Sequence, residues 1–128
     1  MRFSRETLTL GPMLPPRLSL HRAFVADHFH DLPGFVEARH GHNWELEATV
    51  NLEETHPEPA LAQALDAWVK SIDYTLLNDQ PWLKNRNPTA EALAQWLLEA
   101  LEERGFSSVE TRIREKANYW AACRRESA

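Results

Sequence analysis

Three histidines carry the chain's strongest chemical signal. His40-Gly41-His42 stands immediately before a stretch of regular alternation, and His28 closes an earlier one. Residues i and i+2 of a strand face the same way, roughly 6.5–7 Å apart. The imidazoles of His40 and His42 can therefore converge on one ion, and His28 shares the parity of the apolar residues before it. Polar rings at the ends of apolar faces are expensive to bury without partners. Three neutral imidazoles with an open position form the donor set of a catalytic zinc site, whose metal acts as a Lewis acid on a substrate oxygen. The alternative is separate histidines at strand ends, half exposed and hydrogen-bonded. His30 competes with His28 as a ligand and ranks second, because its neighbours belong to a loop.

Glu115 ends the parity Val109, Thr111, Ile113. A carboxylate in that place is either at the solvent end of a strand or buried with a partner. In the second case it can accept two hydrogen bonds from the adjacent N–H donors of a flat ring, such as a 2-amino-4-oxo pyrimidine.

These residues need a scaffold, and the pattern around them supplies one. Arg17 to His28 alternates, with Leu18, Leu20, Phe24 and Ala26 on one face and Arg22 as the exception. Trp44, Leu46, Ala48, Val50 and Leu52 share a face, opposite Asn43, Glu45, Glu47, Thr49 and Asn51, which predicts a half-buried strand. Asp31 to Arg39, with Pro33-Gly34, reads as a loop. Leu61, Ala64, Leu65, Trp68 and Ile72 recur at helical spacing, so a helix is expected over 59–73, with an exit loop from Leu77 to Pro81. A second helix is expected from Pro88-Thr89, with Pro88 in its first turn, Leu93, Trp96, Leu97, Ala100 and Leu101 as its stripe, and Gly105 as its stop. Strands follow over 109–115 and Tyr119 to Arg124. Trp68 and Trp96 read as core residues, whereas Trp82 fits a pocket or a subunit contact equally well.

The expected architecture is α+β: a small antiparallel sheet with two helices on one face. At 128 residues the chain is expected to be a single domain, with an irregular segment over 1–16. Fourteen Lys and Arg against nineteen Asp and Glu leave a net charge of −5, the wrong sign for a general nucleic-acid binder. The single cysteine, Cys123, excludes an intramolecular disulfide. No apolar run approaches the roughly 20 residues of a membrane span, and the first ten residues lack a signal peptide's apolar stretch, so a cytoplasmic protein is expected.

The succession Phe24-Val25-Ala26-Asp27-His28, His40-Gly41-His42-Asn43-Trp44, Ile72-Asp73-Tyr74-x-x-Leu77-Asn78, Asn87-Pro88-Thr89-Ala90-Glu91, and Glu115 followed by Trp120-Ala121 resembles the 6-pyruvoyltetrahydropterin synthase / 6-carboxytetrahydropterin synthase family over residues 18–125. The resemblance implies the tunnelling fold, in which small sheets of several subunits join into a barrel, typically a hexamer made as a dimer of trimers. It implies a zinc-dependent lyase of pterin, folate or queuosine-precursor metabolism acting on 7,8-dihydroneopterin triphosphate. By resemblance the zinc ligands are His28, His40 and His42, the pterin anchor is Glu115, and Thr89 and Glu91 help to hold the pterin at a subunit boundary.

The departures bear on the reaction. The family's usual cysteine, four residues before the first histidine of His-Gly-His, is Val36 here. Glu37 lies three residues before His40, and relatives with a glutamate in place of the cysteine cleave the side chain to a 6-hydroxymethyl pterin. Glu37 is either a general base or a solvated loop residue. Tyr74 replaces the histidine that normally follows Asp73, and tyrosine is a poor base near neutral pH. The segment 54–59 is too short for the family's glycine-led return strand. Two functional classes remain: an enzyme using Glu37, Asp73 and Tyr74 to handle protons, and a zinc-containing pterin- or purine-binding relative without turnover. An unrelated zinc hydrolase is a third, disfavoured by the two helices.

Overall fold

The computed structural model describes residues 10–52 and 57–126. In chain order the elements are β1 (Arg17–His28), β2 (Asp31–Leu32), β3 (Phe35–Val36), β4 (His40–Asn51), α1 (Pro57–Ile72), β5 (Thr75–Leu76), α2 (Ala90–Glu103), β6 (Glu110–Lys116) and β7 (Tyr119–Arg124). Two single 3-10 turns, Leu77–Asp79 and Pro81–Leu83, lie between β5 and α2.

The alternation of β1 and β4 does what it predicts. The two strands pair antiparallel along their whole length, from Arg17 opposite Asn51 to His28 opposite His40. β6 joins the other edge of β4, and β7 follows β6 as a hairpin, giving the order β5-β1-β4-β6-β7. Four strands are antiparallel. The two-residue β5 runs parallel to β1, so the sheet is largely antiparallel with one parallel edge. No helix among the described residues is long and apolar enough to cross a membrane.

Both helices cover one face of the sheet. Phe24, Trp44, Leu46 and Ile113 meet Leu61, Leu65 and Ile72 of α1 and Leu93, Leu97 and Leu101 of α2, all buried. Burying one side chain of this size contributes about 1.5–3 kcal/mol. The Phe24 ring lies parallel to Trp44 and edge-on to Trp68, at centroid distances of 6.0 and 5.7 Å. Arg22, the break in the β1 pattern, reaches Asp66 of α1 at 2.7 Å, so the charge is neutralised where it leaves the core. Trp82 packs on Trp96 at 5.9 Å and donates to Glu99, so within the chain it extends the aromatic core.

Several expectations shift by a few residues. The segment 31–39 contains the β2–β3 hairpin, whose turn uses Gly34 at φ 77. Leu52 lies past the end of β4 and is exposed, because the pairing stops at Asn51. Helix α1 begins at Pro57 rather than 59 and ends one residue early, at Ile72. The exit loop after it holds both 3-10 turns. Pro88 is not in the first turn of α2. Thr89 is the N-cap, its hydroxyl accepting from the Ala92 amide, and Pro88 stands outside the helix. At the other end Gly105 (φ 95) stops α2 as expected: its amide donates to Glu102, and the Phe106 amide to Leu101. Residues 10–16 form no regular element, and residues 1–9 and 53–56 lie outside the described residues.

The end of β1 is held by a side chain. Beyond His28 the strand has left its sheet partners, and Asn78 stands in for one: its Oδ1 accepts from the Phe29 amide at 3.1 Å and its Nδ2 donates to the Phe29 carbonyl at 2.9 Å. Asn78→Ala leaves both half-buried backbone groups without these partners. The expected loss is about 1–3 kcal/mol of unfolding free energy, read from urea denaturation; an unchanged midpoint would show that Asn78 is not a clamp.

Candidate metal and ligand site

The β1–β4 register decides the site. Because His28 faces His40 across the ladder and Ala26 faces His42, three imidazoles emerge on the apolar side at one end of the sheet. Their ring centroids form a near-equilateral triangle: 4.7 Å for His28–His40, 4.9 Å for His28–His42 and 4.9 Å for His40–His42. One nitrogen from each lies within 4.8 Å of the others. Trp44 forms the apolar floor, 5.1 Å from the His28 ring and 5.4 Å from His42, and its indole N–H is tied to the Ala26 carbonyl.

Hydrogen bonds outside the triangle orient the rings. His28 is fully buried, and its Nδ1 lies 2.8 Å from the Pro88 carbonyl oxygen. A carbonyl only accepts, so Nδ1 carries the hydrogen and Nε2 is the bare nitrogen. That Nε2 is buried and has no hydrogen-bond partner. His40 repeats the device, with Nδ1 at 2.9 Å from the Ala38 carbonyl. Metal-binding imidazoles are typically tied in this way through the nitrogen that does not face the ion. The donor set, the tautomers and the orphaned Nε2 fit a divalent metal.

The glycine of His-Gly-His has a steric reason. A Cβ on Gly41 would stand 2.6 Å from Asp27 Oδ1 on the opposite face of the sheet. There the Asp27 carboxylate pairs with Arg39 at 2.8 Å.

Two carboxylates border the triangle. Glu37 Oε1 lies 3.6 Å from both His30 Nδ1 and His40 Nδ1 and accepts from the His30 amide at 3.2 Å. The Glu37 amide donates back to the His30 carbonyl, so Glu37 is fixed although it sits in a connecting segment. Glu115 Oε1 lies 3.3 Å from His28 Nε2 and 3.8 Å from His42 Nε2. His30 stays outside the triangle, with its ring 5.1 Å from His28.

The other residues singled out from the sequence sit further away. Thr89 caps α2, and Glu91, in its first turn, accepts a short hydrogen bond from the Tyr119 hydroxyl. That bond draws the Glu91 carboxyl below the usual range and pushes the Tyr119 phenol up. Asp73 accepts from the Val25 amide at 2.8 Å, and the Tyr74 amide donates to the Val25 carbonyl. Val25 precedes His28 by three residues, about 10 Å along the strand. Tyr74 is 82% exposed, so the chain by itself does not bring this pair to the histidines. Sequence reasoning missed the Pro88 carbonyl and the role of Asn78. Neither has a side-chain signature at the site, although Asn78 was within reach as a polar residue directly after a buried leucine.

The family described as 6-pyruvoyl tetrahydropterin synthase matches the chain over residues 17–126. No curated protein matches it by sequence. Among solved structures, the chain is similar to the Caenorhabditis elegans 6-pyruvoyl tetrahydropterin synthase, with a TM-score of 0.68 and 16% identity over 90% of this chain and 100% of that one. The Plasmodium falciparum 6-pyruvoyl tetrahydropterin synthase gives 0.65 at 14% identity, over 88% of this chain and 98% of that one. An uncharacterized Wolinella succinogenes protein gives 0.67 at 15% identity, over 89% of this chain and 100% of that one. At these identities the likeness is one of fold.

Burial pushes the His28 and His42 imidazoles below their ordinary value of 6.5, with Glu115 pulling the other way in both. Below that value the unfolded chain binds more protons at these positions than the folded one. The metal-free protein is therefore expected to lose stability as the pH falls through 6.5, until the lower folded-state values are passed. Urea midpoints with a chelator present, at about pH 7.5 and about pH 5.5, check this. A midpoint that holds or rises on acidification contradicts it.

Proposed function

Because this chain belongs to the 6-pyruvoyl tetrahydropterin synthase family, we propose that it is a zinc-dependent lyase acting on 7,8-dihydroneopterin triphosphate or a related dihydropterin. The observation that carries this reading is the triangle of His28, His40 and His42 bordered by two carboxylates. Bound zinc supplies Lewis acidity toward the oxygens of the substrate's side chain. Glu37, half-buried and held by two hydrogen bonds to the His30 backbone, takes a side-chain proton as general base. Glu115 accepts the paired N–H donors of the pterin ring. Thr89 and Glu91, beside the Pro88 carbonyl that orients His28, complete the ring-binding side.

Glutamate is compatible with catalysis in this fold. A Plasmodium vivax 6-pyruvoyltetrahydropterin synthase similar to this chain (TM-score 0.66, 14% identity) is described as a catalytic residue mutant in which glutamate became alanine. With Val36 in the cysteine position and Glu37 beside it, side-chain cleavage to a 6-hydroxymethyl pterin is the favoured outcome, ahead of a 6-pyruvoyl or 6-carboxy product. Asp73 and Tyr74 serve as proton-handling partners only across a protomer boundary, which agrees with a homo-hexamer built from sheets joined edge to edge. The same exposed Tyr74, with Asp73 engaged on the Val25 amide, favours the second reading, a zinc-containing pterin- or purine-binding relative without turnover.

Two measurements test this. Zinc at about 100 times its Kd should raise unfolding stability by about 2.7 kcal/mol, and His42→Ala should abolish that rise. Incubating the zinc-loaded protein with 7,8-dihydroneopterin triphosphate should yield a new pterin identifiable by mass, and Glu37→Gln should slow its formation by at least about 100-fold. Tight pterin binding without consumption selects the binding reading, and full activity in Glu37→Gln removes Glu37 from the mechanism.

A further inference from the structure

Glu115 continues the parity of the buried Thr111 and Ile113 and stands at a local irregularity of the sheet. Arg114 faces Trp120 and Lys116 faces Tyr119, so one step on β7 spans two on β6 and Glu115 is the extra residue. A bulge of this kind bends the strand locally. The Glu115 side chain is 15% exposed and its Oε1 stops 3.3 Å from His28 Nε2.

No hydrogen bond joins the two atoms. His28 has committed its Nδ1 hydrogen to Pro88, and its Nε2 is buried without a hydrogen-bond partner despite the nearby carboxylate. An imidazole nitrogen and a carboxylate oxygen held that close in a buried place, with no hydrogen bond between them, leave room for a shared cation. Ligands at about 2.0–2.1 Å from a tetrahedral zinc stand about 3.3 Å from one another. Glu115 Oε1 is already at that separation from His28 Nε2, and it is 3.8 Å from His42 Nε2.

We propose that in the substrate-free protein Glu115 is a fourth protein ligand of the metal, closing with His28, His40 and His42 the position that an incoming ligand must open. The inference rests on the zinc reading of the site and adds a gate to it. A closed four-ligand shell is inert, whereas a catalytic shell keeps one position for substrate. Glu115 leaves the metal when a flat ring offers adjacent N–H donors to both of its oxygens. One carboxylate then couples ring recognition to exposure of the Lewis acid, and a ligand without the donor pair leaves the metal closed.

The test uses the full-length protein loaded with cobalt(II) or zinc(II). Cobalt in the unmutated protein should give the intense visible bands of four-coordination, and 7,8-dihydroneopterin should change them. Glu115→Gln should shift these bands and admit an exchangeable metal-bound water before any pterin is added. It should also lower zinc affinity at least about tenfold in competition with a chromogenic chelator. Water-proton relaxation of the unmutated cobalt protein answers the same question without a variant: no exchangeable metal-bound water supports the proposal, and a rapidly exchanging one overturns it. Identical spectra and zinc affinity in the two proteins also overturn it, while leaving the zinc enzyme reading standing. Failure of the unmutated protein to bind either metal overturns both.

Discussion

The pairing of β1 with β4 in one register is the constraint on which the rest depends. His28 and His40 are partners in that ladder, and every other relation in the site follows from it. Strand side chains alternate with a period of two, so a slip of one residue would turn His28 to the other face. The apolar residues prevent the slip. Phe24 and Ala26 on β1 and Trp44, Leu46, Ala48 and Val50 on β4 are buried only in this register, and their burial far outweighs the few hydrogen bonds at the strand ends. The core thus sets the geometry of the polar site as a by-product of hiding its own surface.

The site sits where that apolar face runs out. Trp44 is the last large core residue, and the imidazoles stand on it. Leaving polar rings in such a place is costly unless their nitrogens are engaged. Backbone carbonyls of Pro88 and Ala38 engage the outer nitrogens of His28 and His40, and the inner ones converge with that of His42. The carbonyl of Pro88 is available because Thr89, not Pro88, caps α2. Asn78 holds the strand end that carries His28. Segments far apart in sequence therefore converge on one imidazole.

The two faces of the sheet differ in what they ask of the sequence. The covered face demands volume and apolarity. The other carries charge pairs such as Asp27 with Arg39, and Arg114 with Glu45 at 2.8 Å. Exposed pairs of this sort contribute little stability individually. Their consequence is local: the Asp27 carboxylate occupies the space that a Cβ at Gly41 would need, so a side chain between the two histidines would have to push that carboxylate aside on the face opposite the imidazoles.

Much of this was legible from the residues in order. Alternation in Arg17–His28 and from His40 onward sets period-two strands, and it places His28, His40 and His42 in the parity of the buried residues before any coordinates are known. Helical spacing located both helices, and Gly105 marked the end of the second. Local pattern carries these features because each is settled by which side of its own element a residue takes. What the chain order did not contain is which groups meet across elements. The parallel edge strand β5, the Asn78 clamp on Phe29, the Pro88 carbonyl behind His28 and the approach of Glu115 to His28 all depend on long-range approach of the backbone. Periodicity is a property of one segment, whereas a hydrogen bond to a distant carbonyl or the approach of a carboxylate to a distant imidazole exists only once packing has brought two segments together.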